Sequence, residues 1–222
     1  MELMFVLVAF LIVSLAQLIL RVTYAKYKQI QLNSELKGRE VAQRILNEYD
    51  LTDIAITKVS GELTDNFNNS RRLISLSQDI YDEDTIASCA VAAHECGHAI
   101  QYKEGYVPIK IRNMLVPIVN IGNSLGYIVI IISLATSATK LFIIGLALIS
   151  LALLFQLVTL PCEFDASKRA NKILLEMGLV TEDEQDGTKA MLRAAAFTYV
   201  AGLFSSILQI LRIIYIFTND RD

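Results

Sequence analysis

The stretch LFIIGLALISLALLFQLVTLPCEFDASKRA, residues 141–170, runs for 22 residues without a charge and then becomes densely charged from Glu163 onward. Three further stretches carry no charge: 3–20, 114–139 and 194–211. Each has at least 18 residues, which at the helical rise crosses about 27 Å or more of hydrocarbon. Four transmembrane helices are therefore expected. The alternative, four buried helices of a soluble core, fails on composition. With 54% hydrophobic and 19% charged residues in a 222-residue chain, too little polar surface is left to cover them. The first run has Glu2 and no Lys or Arg ahead of it, and no small-residue cleavage site follows, so it is expected to stay as an anchor.

Basic residues set the orientation. Residues 21–113 carry twelve Lys/Arg and 163–193 carry five, against only Lys140 between the second and third runs and Arg212 and Arg221 near the end. The positive-inside rule puts both basic stretches in the cytoplasm and the amino terminus outside. The expected organisation is a first transmembrane helix in residues 1–22, a cytoplasmic region in 23–113, and transmembrane helices two and three in 114–162. A second cytoplasmic stretch follows in 163–193, then a fourth transmembrane helix in 194–217 and a tail in 218–222. Two crossings separate residue 113 from residue 163, so both belong to one side of the bilayer. The net charge of −3, with no basic cluster interleaved with aromatics, excludes a nucleic-acid partner. The three cysteines, Cys89, Cys96 and Cys162, have no CxxC spacing and do not read as a disulfide framework.

Within 23–113, Tyr24 to Tyr49 reads as one amphipathic helix with apolar positions at Val41, Ile45 and Leu46. The runs around Ile54–Val59 and Leu73–Leu76, separated by GELTDNFNNS, predict a small hairpin or sheet. An Ala-rich helix opens after Asp84 and ends before Gly105. Gly178 reads as a C-cap, and Thr181 to Glu184 as a capping box that starts the helix leading into the fourth crossing.

The Ala-rich helix holds both histidines of the chain, in the order His94, Glu95, Cys96, Gly97, His98. Positions i and i+4 of a helix share a face, so the two imidazoles can grip one zinc ion while Glu95 reaches a water on it; this is the HExxH pattern. Gly97, costly inside a helix, marks close packing or a ligand's approach. A catalytic zinc takes three protein ligands. No third histidine exists, so the third is a carboxylate or a cysteine on the same side of the membrane. Glu163 meets both conditions, with the adjacent Cys162 as its competitor. Cys96 points away from the histidine face.

These motifs resemble the YugP-like neutral zinc metallopeptidases of bacterial membranes. The likeness is carried by SGELTDNF, LISLSQDIY, VAAHECGHAIQY, LVPIVNIGN, LVTLPCEFDASKRA and RAAAFTYVAGLFSSILQILR, nearly the full chain. It implies a gluzincin-type site with His94, His98 and Glu163 as ligands of one Zn2+ per chain and Glu95 as general base. The segment opening at Glu163 also resembles the Glu-ligand helix of membrane gluzincins of the HtpX-like and CaaX-protease kind. Those usually have Asp four residues after the ligand, where this chain has Ser167, with Asp165 two residues after it. Whether Asp165 orients a histidine or is simply solvated stays open at this point.

The expected fold class is a mostly α membrane protein with four transmembrane helices and a small cytoplasmic α+β zincin-like metallopeptidase region. The expected function is zinc-dependent peptide hydrolysis at the cytoplasmic membrane surface, acting on a peptide or membrane-protein substrate. Tyr199, Arg169 and Arg193 are open choices for an oxyanion donor, and Arg72 to Ser77 is the expected edge strand for an extended substrate. A regulatory membrane partner or a homo-oligomer is compatible with the sequence. The competing readings are a non-catalytic, zinc-stabilised membrane scaffold or chaperone-like partner, and an intramembrane protease. The second is disfavoured by the charges that bracket the motif.

Overall fold

The structure, a computed structural model, describes residues 2–136 and 138–219. The elements in chain order are α1 (Glu2–Tyr27), α2 (Gly38–Glu48), β1 (Ala55–Val59), β2 (Asn66–Asn68), β3 (Leu73–Ser77), α3 (Gln78–Asp82), α4 (Ile86–Lys103), α5 (Val107–Thr136), α6 (Thr139–Glu176) and α7 (Glu182–Asn219). Among the described residues four helices, α1, α5, α6 and α7, are long and apolar enough to cross a membrane.

The chain divides into two compact units. One comprises Met1–Gln17, Val107–Pro161 and Phe197–Asp222. Its helices leave large apolar side chains such as Leu3, Phe10, Ile121, Ile131 and Ile143 exposed, a pattern that lipid as solvent selects. Inside it, Ile130, Phe142, Ile149 and Ile213 form a small cluster in which the Phe142 and Phe217 rings stack.

The other unit comprises Leu18–Tyr106 and Cys162–Ala196 and is organised around α4. Thr85 caps this helix, its Oγ1 accepting from the Ser88 N–H, and Gly105 ends the segment in the left-handed region that favours glycine. Val41, Ile45 and Leu46 of α2 and Ile74 and Leu76 of β3 are fully buried with the alanines of α4, so the apolar positions legible in the sequence do form the core. Thr181 and Glu184 close the capping box at the start of α7, and Gly178 adopts positive φ after α6.

Two local expectations are corrected. Residues 24–49 are not one helix: α1 continues to Tyr27, and α2 begins only at Gly38. Between them the chain crosses over the start of α4, burying Leu32 and Leu36 and pairing Gln31 with Thr85, which a continuous helix could not do. The run Leu73–Ser77 is also not an edge. The sheet order is β1-β3-β2, with β1 parallel and β2 antiparallel to β3, so both sides of β3 are already paired.

Candidate metal centre

The site is set by how closely α4 meets α6. A Cβ placed on Gly97 would lie 2.7 Å from the Ala166 carbonyl oxygen, so the backbones approach to a distance that only glycine permits. Ala166 lies three residues after Glu163 and Gly97 three after His94, so this contact brings the ligand-bearing turns of the two helices together. The Glu163 carboxylate lies 3.2 Å from His94 Nε2 and 3.5 Å from His98 Nε2. Donors of a tetrahedral zinc with bonds of about 2.0–2.1 Å stand about 3.3 Å apart, so the spacing fits such an ion. All three ligand atoms lie within 4.8 Å of one another; Cys162, the competitor, is not in the group. Glu163 is 2% exposed.

The hydrogen bonds behind the histidines fix their orientation. Gln101, fully buried, donates through Nε2 to the Cys162 carbonyl and to Asp165 Oδ2, each at 2.8 Å. Its Oε1 is then left to accept, and it lies 3.0 Å from His98 Nδ1. The proton therefore sits on Nδ1, and Nε2 turns its lone pair towards Glu163. Asp165 in turn accepts from Arg169, which also pairs with Glu104. On the other side His94 Nδ1 meets a single hydroxyl, Ser167 Oγ, at 3.3 Å.

A lone pair facing a carboxylate needs positive charge between them. Burial by itself would lower the His98 imidazole, but Glu163 and Glu95 outweigh it and hold its pKa raised, the protonic answer to the same demand a metal ion meets. The buried donor set of two imidazoles and one carboxylate suits zinc.

Glu95 is 6% exposed, and no hydrogen bond to its carboxyl occurs among the described residues. Burial pushes its pKa up, against the pull of His94 and His98. A desolvated carboxyl that is not tied down can exchange a proton with a nearby water. Cys96 faces the opposite way, its Sγ 3.7 Å from the Ala42 carbonyl; burial raises the thiols of both Cys96 and Cys89, which are packing residues.

Sequence reasoning placed Asp165 between two roles. In the structure it reaches His98 through Gln101, a residue the reading missed. The available signal was a lone amide three residues after His98, on the helix face that carries both histidines. Ser167, noted as a departure from the related helix, meets the other histidine. Arg169 pairs with Asp165 through Nε and with Glu104 through Nη1.

The family described as "Putative neutral zinc metallopeptidase" matches residues 2–218. The chain belongs to that family. Within the curated proteins it is similar to "Putative membrane protease YugP" of Bacillus subtilis (strain 168), 36% identical over 207 residues that cover 93% of this chain and 92% of the relative. No solved structure matches. With four apolar helices of membrane-crossing length, this member of the family is a multi-pass membrane protein.

Proposed function

We propose that the protein is a membrane-embedded, zinc-dependent metalloendopeptidase that cuts peptide bonds at the cytoplasmic membrane surface. One Zn2+ is held by His94, His98 and Glu163, with Glu95 as general base. The observation that carries the reading is the convergence of the three donor atoms within 4.8 Å, next in sequence to the buried Glu95, whose carboxyl makes no hydrogen bond among the described residues. Family membership supports the metal and the reaction class.

When bound, zinc supplies Lewis acidity to a water and to the scissile carbonyl. The chain does the rest. Gln101 and Ser167 hold the Nδ1 sides of the imidazoles, so both Nε2 atoms stay turned to the donor cluster. Glu95 takes the proton of the attacking water and passes it to the leaving amine; burial, which raises its pKa, strengthens it as a proton acceptor. Burial of Glu163 and Glu95 keeps bulk water from screening these charges.

The topology proposed is amino terminus outside, with residues 23–113 and 163–193 forming a cytoplasmic zincin-like region and 1–22, 114–162 and 194–217 crossing the membrane. It rests on the distribution of Lys and Arg. Substrates are then cytoplasmic peptides or the cytoplasmic ends of membrane proteins, with a membrane partner or a second copy of the chain as the means of restricting access.

The test is metal analysis and peptide hydrolysis on the purified chain. Glu95→Gln is expected to keep stoichiometric zinc and lose hydrolysis, and Glu163→Ala to lose most of the metal. A chelator should stop hydrolysis reversibly. Full biological activity in Glu95→Gln with zinc bound would move the protein to the scaffold reading.

A further inference from the structure

A cleft of about 630 Å³ opens beside α4 in the same unit, lined by Tyr24, Lys28, Gln31, Glu62, Glu83 and Asp84 among others. Two features mark it. The first is a buried polar group without a partner. Tyr24 is 2% exposed, and its hydroxyl makes no hydrogen bond among the described residues. Glu62, Glu83 and Asp84 line the same cleft, and the negative charge of Asp79, Glu62, Asp65 and Glu83 bears on the hydroxyl. An unmet buried hydroxyl is destabilising, and a ligand that bonds it recovers that loss.

The second is uncompensated negative charge. The one basic side chain in the lining, Lys28, is bound to Asp79. Glu62, Glu83 and Asp84 form no ion pair among the described residues. Burial raises the Glu83 carboxyl above its ordinary value; Lys28 pulls it back, while Asp79, Asp84 and Asp82 push it further up. Three carboxylates and a hydroxyl acceptor around one space call for a cation. The volume decides which kind. A bare calcium ion gathers its oxygens at about 2.3–2.6 Å and leaves such a space mostly empty, whereas a guanidinium or ammonium on an alkyl stem fills it and offers several N–H donors.

Position links the cleft to the reaction. Thr85, which lines the cleft, caps α4, and His94 follows it nine residues on along that helix, about 13 Å at the helical rise and so within the span of a short extended peptide segment. We infer that this cleft is a recognition subsite for a Lys or Arg side chain of the peptide substrate. The inference rests on the peptidase reading above and adds to it a substrate class. Basic residues flank the cytoplasmic ends of membrane spans, so such ends carry the required group.

The experiment uses the full chain in a bilayer nanodisc and pairs of internally quenched peptides that differ only in Arg against citrulline, its neutral isostere, scanned through positions near the cut. At one position the Arg peptide is expected to be cleaved with a kcat/KM about tenfold or more above its citrulline twin, mostly through KM, the size of a charge-assisted hydrogen bond. In Glu62→Gln/Glu83→Gln the ratio should fall close to one with zinc still stoichiometric, and Tyr24→Phe should lower it part of the way. A ratio of one at every position in the native chain, or one that survives the double variant, overturns the inference. So does tyrosine-sensitised terbium luminescence that the double variant abolishes, since that marks the cleft as a metal site. Anisotropy of labelled Arg and citrulline peptides on zinc-loaded Glu95→Gln reads recognition without turnover. Discrimination there, with no hydrolysis by the native chain, would count against the peptidase reading alone; Glu95-dependent hydrolysis with no discrimination would count against the subsite alone.

Discussion

The two histidines of α4 are presented alike and supported differently. Behind His98 stands a chain of groups: Gln101, the Cys162 carbonyl, Asp165, Arg169 and Glu104, all linked by hydrogen bonds or ion pairs. Behind His94 stands one hydroxyl at 3.3 Å. A carboxylate relayed through a buried amide fixes both the tautomer and the ring plane, and charge-assisted links make it resistant to rotation. A lone neutral hydroxyl gives direction with little energy. The lesson is that α4 supplies the two histidines, while the groups that hold them come from α4 and α6 together, on one side far more than the other.

The largest effect that bears on this comparison should come from removing what both sides share. Replacing the proposed general base in Glu95→Gln should cost about 10²–10⁴-fold in kcat without loss of zinc, read by single-turnover hydrolysis and metal analysis. Gly97→Ala removes the close approach on which both histidines depend. Its Cβ would meet the Ala166 carbonyl, a backbone atom, so the helices must separate. Although Ala ordinarily favours a helix over Gly, the overpacking should cost about 1–3 kcal/mol and show as a lower unfolding midpoint together with weakened zinc.

Smaller effects should separate the two sides. Gln101→Leu should weaken zinc about 10–100-fold in competition with a chelator, the usual cost of losing a histidine's outer partner. Ser167→Ala should weaken it only about threefold, at the low end for a neutral hydrogen bond. Equal losses would remove the asymmetry. Asp165→Asn combined with Gln101→Leu should cost less than the sum of the two, since both act through one chain. The smallest effect belongs far from either side: breaking the exposed Asp53–Arg72 pair by Asp53→Asn should leave the unfolding midpoint nearly unchanged and should not alter zinc binding at all.

Much of this was legible in the sequence. The uncharged runs gave the four long helices because lipid admits few exceptions to that pattern. The capping box at Thr181 and the glycines at 105 and 178 gave helix ends because those signals are local. The candidate donor set of His94, His98 and Glu163, which the structure brings together, was legible because the chain has only two histidines and one carboxylate placed directly after an apolar run. What was not legible was tertiary. Residues 24–49 have helical spacing throughout, yet burial of Leu32 and Leu36 over the start of α4 overrides local propensity. The pairing of β3 on both sides depends on Asn66–Asn68, three residues too few to show a period. Gln101 carries no spacing signature as a histidine's partner, and its role appears only once α6 lies beside α4.

The most direct test of the central claim is zinc K-edge X-ray absorption on the purified, zinc-loaded chain. The account predicts a first shell of nitrogen and oxygen alone, at about 2.0–2.1 Å, with imidazole scattering for two histidines. A sulfur at about 2.3 Å would put Cys162 in place of Glu163 and contradict it.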